Sequence, residues 1–258
     1  MRIKSLFVFA VVVAIGVIAA SPQAQAAVMG AISVNISNST DGNSTVTGNA
    51  GVYDASDWNN YDGLVKVGTM SNLIDNTGTA TTAEFKCDTG TNGLASNDDP
   101  HTSQNARLVQ QYFDTVQNTT SKFTVTAIPY TQYDLYYYHD GPSTDPTRGI
   151  KVTVNGGTPY YSHEYSTNIP QYGTADDFVE YHNTNETTAQ GSVGGHYMLL
   201  KGLSGDLEIL VQAPSNSPWN GTARAPTSGF QIVEVPEPAT MALMALGGLG
   251  LLLKRRRR

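Results

Sequence analysis

One segment, Tyr133–Pro142, concentrates the aromatic side chains of this sequence. Successive side chains of a β-strand point to opposite faces, so alternation divides this segment into two sets. We expect the core-facing set to be Tyr133, Leu135 and Tyr137. Sugars are bound by flat ring faces combined with oriented polar groups. The face of the strand opposite the core supplies such rings, and the residues at the end of the strand supply polar groups. The candidate glycan contacts are Tyr136, Tyr138, His139 and Asp140. In the alternative interpretation, both tyrosine sets pack inside the domain or under loops.

Two tryptophans lie in polar surroundings and are further candidates for stacking on sugars. Trp58 stands among Asp57, Asn59 and Asn60, and Trp219 lies between proline and asparagine. An exposed indole ring is a flat apolar platform. The alternative for each is a packing anchor that holds a loop against the domain.

Two pairs of adjacent aspartates in loops are candidate calcium ligands. Calcium takes six to eight oxygen ligands, which paired carboxylates and loop carbonyls supply. Neither pair matches the twelve-residue calcium loop, and ordinary surface charge is the alternative. The candidate ligands are Asp98, Asp99, Asp176 and Asp177. No other cofactor is expected.

No catalytic signature is found in the sequence. The five histidines lack the helical spacing of metal ligands, and Gly-x-Ser-x-Gly and phosphate-binding glycine loops are absent. Three carboxylates, Asp140, Glu164 and Glu180, are of the type that pairs in glycosidases, but no local motif surrounds them. We therefore expect a protein that is not an enzyme. A polysaccharide hydrolase or lyase is the alternative.

Short alternating apolar runs between turn signals predict that these residues are carried by β-strands. This pattern, with almost no helical periodicity, is typical of an all-β sandwich or barrel. One segment, Ala106–Val116, is predicted as a helix or irregular piece. The only cysteine, Cys87, excludes an internal disulfide and is expected as a small buried residue on a strand. The predicted strands are Ala31–Ser37, Leu64–Met70, Ala80–Lys86, Lys122–Ile128, Tyr133–His139, Ile150–Val154, Tyr160–Glu164, Phe178–Tyr181, Tyr197–Lys201, Leu207–Val211 and Phe230–Val235.

The first 26 residues predict a signal peptide. Arg2 and Lys4 precede an apolar run that ends at Ala20, and small residues follow at the expected cleavage site. Signal peptidase needs small side chains at two positions, which Ala24 and Ala26 supply, so that Ala27 becomes the first mature residue. The alternative is a retained anchor, but the apolar run is short for a membrane span.

The charge is distributed unevenly along the chain. Of the 15 Lys and Arg residues seven lie in the two ends, whereas only one of the 22 Asp and Glu residues does. The middle of the chain therefore carries a formal charge of −13. Such a surface repels phosphate backbones, so no nucleic-acid partner is expected.

The last residues combine a proline motif, an apolar run and a basic end. Prolines keep the motif extended, as a protease groove requires. The apolar run, 239–253, is slightly short of a bilayer core, and the basic end favours the cytoplasmic side. The motif is Val235, Pro236, Glu237 and Pro238, and the basic anchor is Lys254, Arg255, Arg256, Arg257 and Arg258.

This tail resembles the PEP-CTERM sorting signal. The resemblance covers residues 235–258 and implies that an exosortase, a membrane cysteine protease, recognises the proline motif. It also implies transient insertion in the inner membrane of a Gram-negative cell that makes exopolysaccharide. An ordinary tail anchor with a proline-rich linker is the alternative.

Several segments of the middle together resemble the galactose-binding-like jelly-roll β-sandwich, over about residues 31–235. The resemblance implies two stacked sheets, and domains of this kind commonly bind glycans, sometimes with a structural calcium. The segments are Trp58-Asn59-Asn60, Ser71–Asp75, Phe123–Thr126, Tyr133–Tyr138 and Ser228–Val233.

These observations predict three regions: a signal peptide at 1–26, a β-sandwich at 27–234 and a sorting tail with a transmembrane helix at 235–258. We expect an exported cell-surface or matrix protein whose sandwich is not catalytic and associates with exopolysaccharide. A structural or adhesive surface protein stabilised by calcium, and a polysaccharide-degrading enzyme, are the alternatives.

The two end segments generate a direct prediction. Intact-mass spectrometry of protein recovered from the cell surface and medium should give a chain that begins at Ala27 and lacks the residues beyond the proline motif. Recovery from the cytosol with Met1 and Arg258 still attached would contradict this organisation.

Overall fold

The computed structural model describes residues 29–38, 44–89, 94–96, 103–139, 149–163, 178–180, 182, 184, 195–214 and 224–236. Within these ranges the chain forms fourteen strands and one short helix. The helix is α1 (Gln104–Gln110). The strands are β1 (Ala31–Ser37), β2 (Asn59–Asp62), β3 (Val67–Met70), β4 (Glu84–Thr89), β5 (Leu94–Ser96), β6 (Gln111–Val116), β7 (Thr120–Thr126), β8 (Tyr133–Tyr138), β9 (Gly149–Val154), β10 (Tyr160–His163), β11 (Tyr197–Leu203), β12 (Leu207–Gln212), β13 (Arg224–Thr227) and β14 (Gly229–Glu234).

Two sheets pack face to face. The five-stranded sheet has the order β11-β8-β14-β1-β2, and the six-stranded sheet has the order β10-β9-β12-β7-β4-β3. All pairs are antiparallel except β1 with β2, which is parallel. The predicted all-β sandwich is therefore confirmed.

The core between the sheets is built from alternating apolar side chains of both. Phe85 on β4 stacks on Phe123 of β7 at a centroid distance of 6.3 Å and meets Phe230 of β14 at 5.7 Å. Tyr61 of β2 contacts the edge of Phe85 at 5.1 Å. Cys87 is fully buried on the same strand, which confirms its predicted position. Aromatic side chains thus bridge the two sheets.

A third, three-stranded sheet of order β13-β6-β5 lies beside the sandwich. The buried Asp114 of β6 forms an ion pair with Arg224 of β13. Thr115, the residue after Asp114, places its Oγ1 2.6 Å from Ser121 Oγ of β7. The ion pair joins two strands within the third sheet, and the Thr115–Ser121 contact ties this sheet to the six-stranded sheet.

The outer face of the five-stranded sheet is also covered in part. A second apolar cluster on this side combines residues of α1 and the segment 46–58 with Tyr138 and Tyr197. Ser103 caps the N-terminus of the helix, and its Oγ accepts the amide of Ala106 at 3.1 Å. Each face of this sheet therefore has its own packed layer.

The first and last described segments meet at one end of the sandwich. β1 and β14 are antiparallel neighbours with Ala31 opposite Val233. Gly30 donates its amide to Glu234 Oε2 at 3.1 Å, and Glu234 donates its own amide to the Gly30 carbonyl at 2.8 Å. The amide of Val235 bonds to the Gln132 carbonyl at 2.9 Å. We call this part of the molecule the exit end.

The predicted elements agree best where apolar residues alternate. β1 has the predicted bounds, whereas the strand predicted for Leu64–Met70 begins only at Val67, after three exposed residues. The segment Ala106–Val116 divides into the end of α1 and the whole of β6. The predicted strand Phe178–Tyr181 is wrong, because its described residues form a single bridge between Glu180 and Tyr197.

Two short strands escape sequence patterns for identifiable reasons. β2 reads Asn-Asn-Tyr-Asp, which has low strand propensity, and its place depends on side-chain amide bonds. β13 contains Pro226, which is tolerated because β13 is an edge strand. A third strand, β5, falls in a stretch for which alternation predicts no strand.

The predicted signal peptide, and the tail beyond Pro236, lie outside the described residues. In the described part of the chain, no helix has the length and apolar character needed to cross a membrane.

The inter-sheet aromatic packing predicts an asymmetric response to truncation. Phe85→Ala should destabilise the protein by about 3–5 kcal/mol, because it removes a fully buried ring that contacts both sheets. Val67→Ala, at a side chain that is 62% exposed, should cost less than about 0.5 kcal/mol. Urea denaturation of both variants measures the difference, and equal losses would contradict the described core.

Candidate functional site

Strand β8 supplies the inner half of the predicted aromatic segment to the core. Tyr133, Leu135 and Tyr137 are fully buried, as predicted. The Tyr133 hydroxyl donates to the Gly205 carbonyl at 3.1 Å, and the Tyr137 hydroxyl lies 2.6 Å from Thr227 Oγ1. Burial raises the pKa of Tyr133 to about 12, because it disfavours the phenolate. These rings serve the core.

Tyr138 lies on the opposite face but is also fully buried. Its ring lies 6.5 Å from Trp58 and 5.3 Å from Phe178. Its hydroxyl donates to Gln231 Oε1 at 2.5 Å and accepts the amide of Val52 at 2.7 Å. The expectation of an exposed ring here is corrected, because a covering loop occupies that face.

Gln231 is the centre of that cover. Its Nε2 donates to Ser33 Oγ at 3.1 Å and to the Tyr53 carbonyl at 2.7 Å. Gly51 passes so close that a Cβ built on it would lie 2.3 Å from Gln231 Oε1, and its φ is +88°. Only glycine fits this approach without strain. We call Gln231, Tyr138 and their loop partners Gly51–Tyr53 the polar clamp.

Two asparagines beside Trp58 fasten β2 to the segments around it. Asn59 donates to the carbonyls of Ser33 and Ile74, and accepts the Ile74 amide at 2.9 Å. Asn60 accepts from Asn35 and from the Val46 amide, both at 2.9 Å. Sequence reasoning missed these roles, although the Asn-Asn pair after a tryptophan was the available signal.

Two other predicted glycan contacts, Trp58 and His139, are also buried. Trp58 is only 5% exposed, and its indole N–H donates to the Ala55 carbonyl at 2.9 Å. His139 is fully buried, and its amide bonds to the His196 carbonyl at 2.9 Å. Trp58 is therefore a packing anchor of the loop in this structure, and His139 does not form an exposed rim.

Among the predicted glycan contacts that lie in the described ranges, Tyr136 alone keeps a partly exposed ring. Its centroid lies 6.0 Å from that of Tyr197, and Leu199 faces it directly across the strand pair. Asp134 precedes it by two residues on the same face of β8, and the Glu180 carboxylate lies 3.5 Å from the Tyr197 hydroxyl. We call these five residues the tyrosine face.

The two carboxylates give the tyrosine face a negative rim. The pKa of Tyr136 is raised by partial burial and then by the negative charges of Asp134 and Glu180. Burial and the Glu180 carboxylate raise the pKa of Tyr197 to about 12. The face therefore combines neutral phenols and a partly exposed apolar surface with carboxylates that accept hydrogen bonds from hydroxyl groups.

The described residues include few side chains that are arranged for catalysis or metal binding. No three His, Cys, Asp or Glu side chains cluster there in a way that would hold a metal ion. Glu180 Oε1 and His182 Nδ1 are 4.0 Å apart at the surface. The carboxylates of Asp140 and Glu164 lie outside the described residues, so the glycosidase-type pairing is not tested.

The remaining predicted contacts and ligands also lie outside the described residues, and their roles stay predictions. They are Asp140, Trp219, Asp98, Asp99, Asp176 and Asp177.

Comparisons with known proteins identify the tail. Residues 234–258 match the family described as the PEP-CTERM protein-sorting motif. The predicted sorting signal is confirmed, and it indicates export to the surface or exterior and recognition by an exosortase. The matched region begins at Glu234, which is also the last residue of β14.

The comparisons add little about the sandwich. The solved structure of TmCBM61 in complex with β-1,4-galactotriose matches 58% of this chain and 83% of that chain, at 7% identity and a TM-score of 0.22. A TM-score this low does not establish a shared fold. No curated protein matches the chain.

The polar clamp predicts that two neighbouring tyrosines respond differently to the loss of a hydroxyl. Tyr138→Phe leaves Gln231 Oε1 and the Val52 amide without this partner in a buried site and should cost about 1–3 kcal/mol. Tyr136→Phe, on the same strand with its ring at the surface, should cost less than about 0.5 kcal/mol. Chemical denaturation of both variants tests this, and a neutral Tyr138→Phe would contradict the clamp.

Proposed function

We propose that the chain is an exported surface or matrix protein that an exosortase sorts through its tail, and that its β-sandwich is a non-catalytic domain associated with exopolysaccharide. The sorting motif at residues 234–258 is the observation that carries this proposal. The acidic middle of the chain suits a protein that works outside the membrane, because negatively charged lipid headgroups repel an acidic domain.

The proposal includes the fate of both ends. Signal peptidase removes residues 1–26, and the apolar tail inserts in the inner membrane until the exosortase acts. The basic residues from Lys254 to Arg258 then remain on the cytoplasmic side. The sandwich is of the jelly-roll, galactose-binding-like type in this proposal, which the two stacked and almost wholly antiparallel sheets support.

The tyrosine face is the surface that we assign to glycan contact. Tyr136 offers a partly exposed ring, and Leu199 extends the apolar surface beside it. Asp134 and Glu180 supply acceptors for sugar hydroxyls. A mixture of ring surface and oriented polar groups is what sugar recognition requires.

The non-catalytic character rests on how the described carboxylates are used. Asp134 accepts the Gly202 amide at 2.8 Å, Asp206 accepts the Ala127 amide at 2.9 Å, and Glu234 accepts the Gly30 amide. These groups stabilise turns and strand ends, which is a structural use. Calcium at the loop aspartates remains part of the proposal, as a stabilising ion and not as a catalyst.

Binding to native matrix polymer tests the glycan part of this proposal. The protein without its signal peptide and tail should be retained on polysaccharide extracted from the producing cells. Tyr136→Ala should weaken retention about fivefold to tenfold, because it removes a ring contribution of about 1–1.5 kcal/mol.

Tyr160→Ala is the matched control, because it truncates a partly exposed tyrosine on the other sheet. It should leave retention unchanged, and both variants should keep cooperative melting. Absence of retention on any native polymer would refute glycan association, whereas equal loss in both variants would refute the assignment of the tyrosine face.

A further inference from the structure

We propose that the exit end of the sandwich is a docking surface for the membrane-embedded sorting peptidase. This inference rests on the proposed sorting by an exosortase and adds a contact between that enzyme and the folded domain.

The fold holds the chain up to the sorting motif itself. Glu234 is hydrogen-bonded to Gly30 through both its amide and its carboxylate, and the amide of Val235 bonds to the Gln132 carbonyl. Val235 is also the first residue of the proline motif. The domain therefore leaves no linker between its last strand and the segment that the peptidase reads.

The distance to the apolar run is short. Only three residues, 236–238, separate Val235 from Ala239. A fully extended chain spans at most about 3.3–3.6 Å per residue, so Val235 lies within about 14 Å of the start of the apolar run. The headgroup layer accounts for about 5–8 Å of that distance. An enzyme that binds the motif must therefore lie directly between the sandwich and the membrane interior.

The prolines prevent the spacer from folding away. Pro236 and Pro238 fix their own φ angles, and the residue before each proline is restricted to extended backbone. A stiff spacer transmits the position of the exit end to the cleavage site. The peptidase and the sandwich then approach each other in a limited range of orientations.

The charge of the exit end favours a protein partner over lipid. Each of four carboxylates at this end is held by a backbone amide, and the exposed Lys201 precedes Gly202, the amide partner of Asp134. An anionic lipid surface repels such an array, whereas Lys and Arg side chains on a protein complement it. The carboxylates are Asp75, Asp134, Asp206 and Glu234.

Steric blocking on opposite ends of the sandwich tests the contact. Thr131→Cys places a thiol at an exposed position beside Gln132, and Gln117→Cys places one in the exposed turn between β6 and β7, at the far end. The native Cys87 is fully buried, so a polyethylene glycol maleimide will label only the new thiol. The full chain is accumulated in spheroplasts, labelled, and then exposed to newly induced exosortase.

Intact-mass spectrometry then follows removal of the tail. The label on Thr131→Cys should slow removal about tenfold or more, because a short tether leaves no geometry that avoids the label. The label on Gln117→Cys should leave the rate within about twofold of the unlabelled chain. Equal rates for the two labelled variants would overturn the proposal.

A linker insertion shows whether the short tether causes the effect. A flexible Gly/Ser insert of about twelve residues between Val235 and Pro236 adds a span of about 20 Å. It should restore removal of the tail in the labelled Thr131→Cys variant, and persistent slowing would overturn the proposal. If unlabelled native chain keeps its tail while the induced exosortase processes another substrate, sorting itself fails, which is a separate result.

Discussion

The last strand of the domain lies in the middle of a sheet, and much of the structure depends on that position. β14 is hydrogen-bonded to β1 on one side and to β8 on the other, so the five strands cannot form one continuous sheet without residues 229–234. Its inward side chain Phe230 meets Phe85 of the facing sheet, and its outward Gln231 holds the covering loop. One strand thus joins the first and last described segments, the core and the outer cover.

This arrangement links the fold to sorting. Because β14 ends at Glu234 and the sorting motif begins there, a chain that presents its motif has also completed its central strand. The same strand fixes the outer surface. The polar clamp closes the part of the sheet around Tyr138, and the part around Tyr136 stays partly exposed. The candidate binding face is therefore the part of the sheet that the covering loop does not cover.

Alternation in the sequence was sufficient to predict the parts of the fold that apolar contacts dominate. Ile32, Val34 and Ile36 on β1, and Tyr133 and Tyr137 on β8, are buried as their spacing indicates. The buried polar residues were not predictable in this way, because an amide that pairs inside a network has no periodic signature. Gln231, Asn59 and Asn60 have no such signature, and yet their side-chain amides bond to the covering loop, to β1 and to Val46.

The candidate site was predicted only in part for the same reason. Tyr136 and Tyr138 are equivalent by alternation, and the difference between them comes from a loop distant in sequence that covers one and not the other. The central claim is that β14 is an integral, fully protected strand. Amide hydrogen exchange on the tail-free protein measures this directly. The amides of Phe230 and Ile232 should exchange only through global unfolding, whereas those of the edge strand β3 exchange faster. Exchange of β14 as fast as that of β3 would contradict the account.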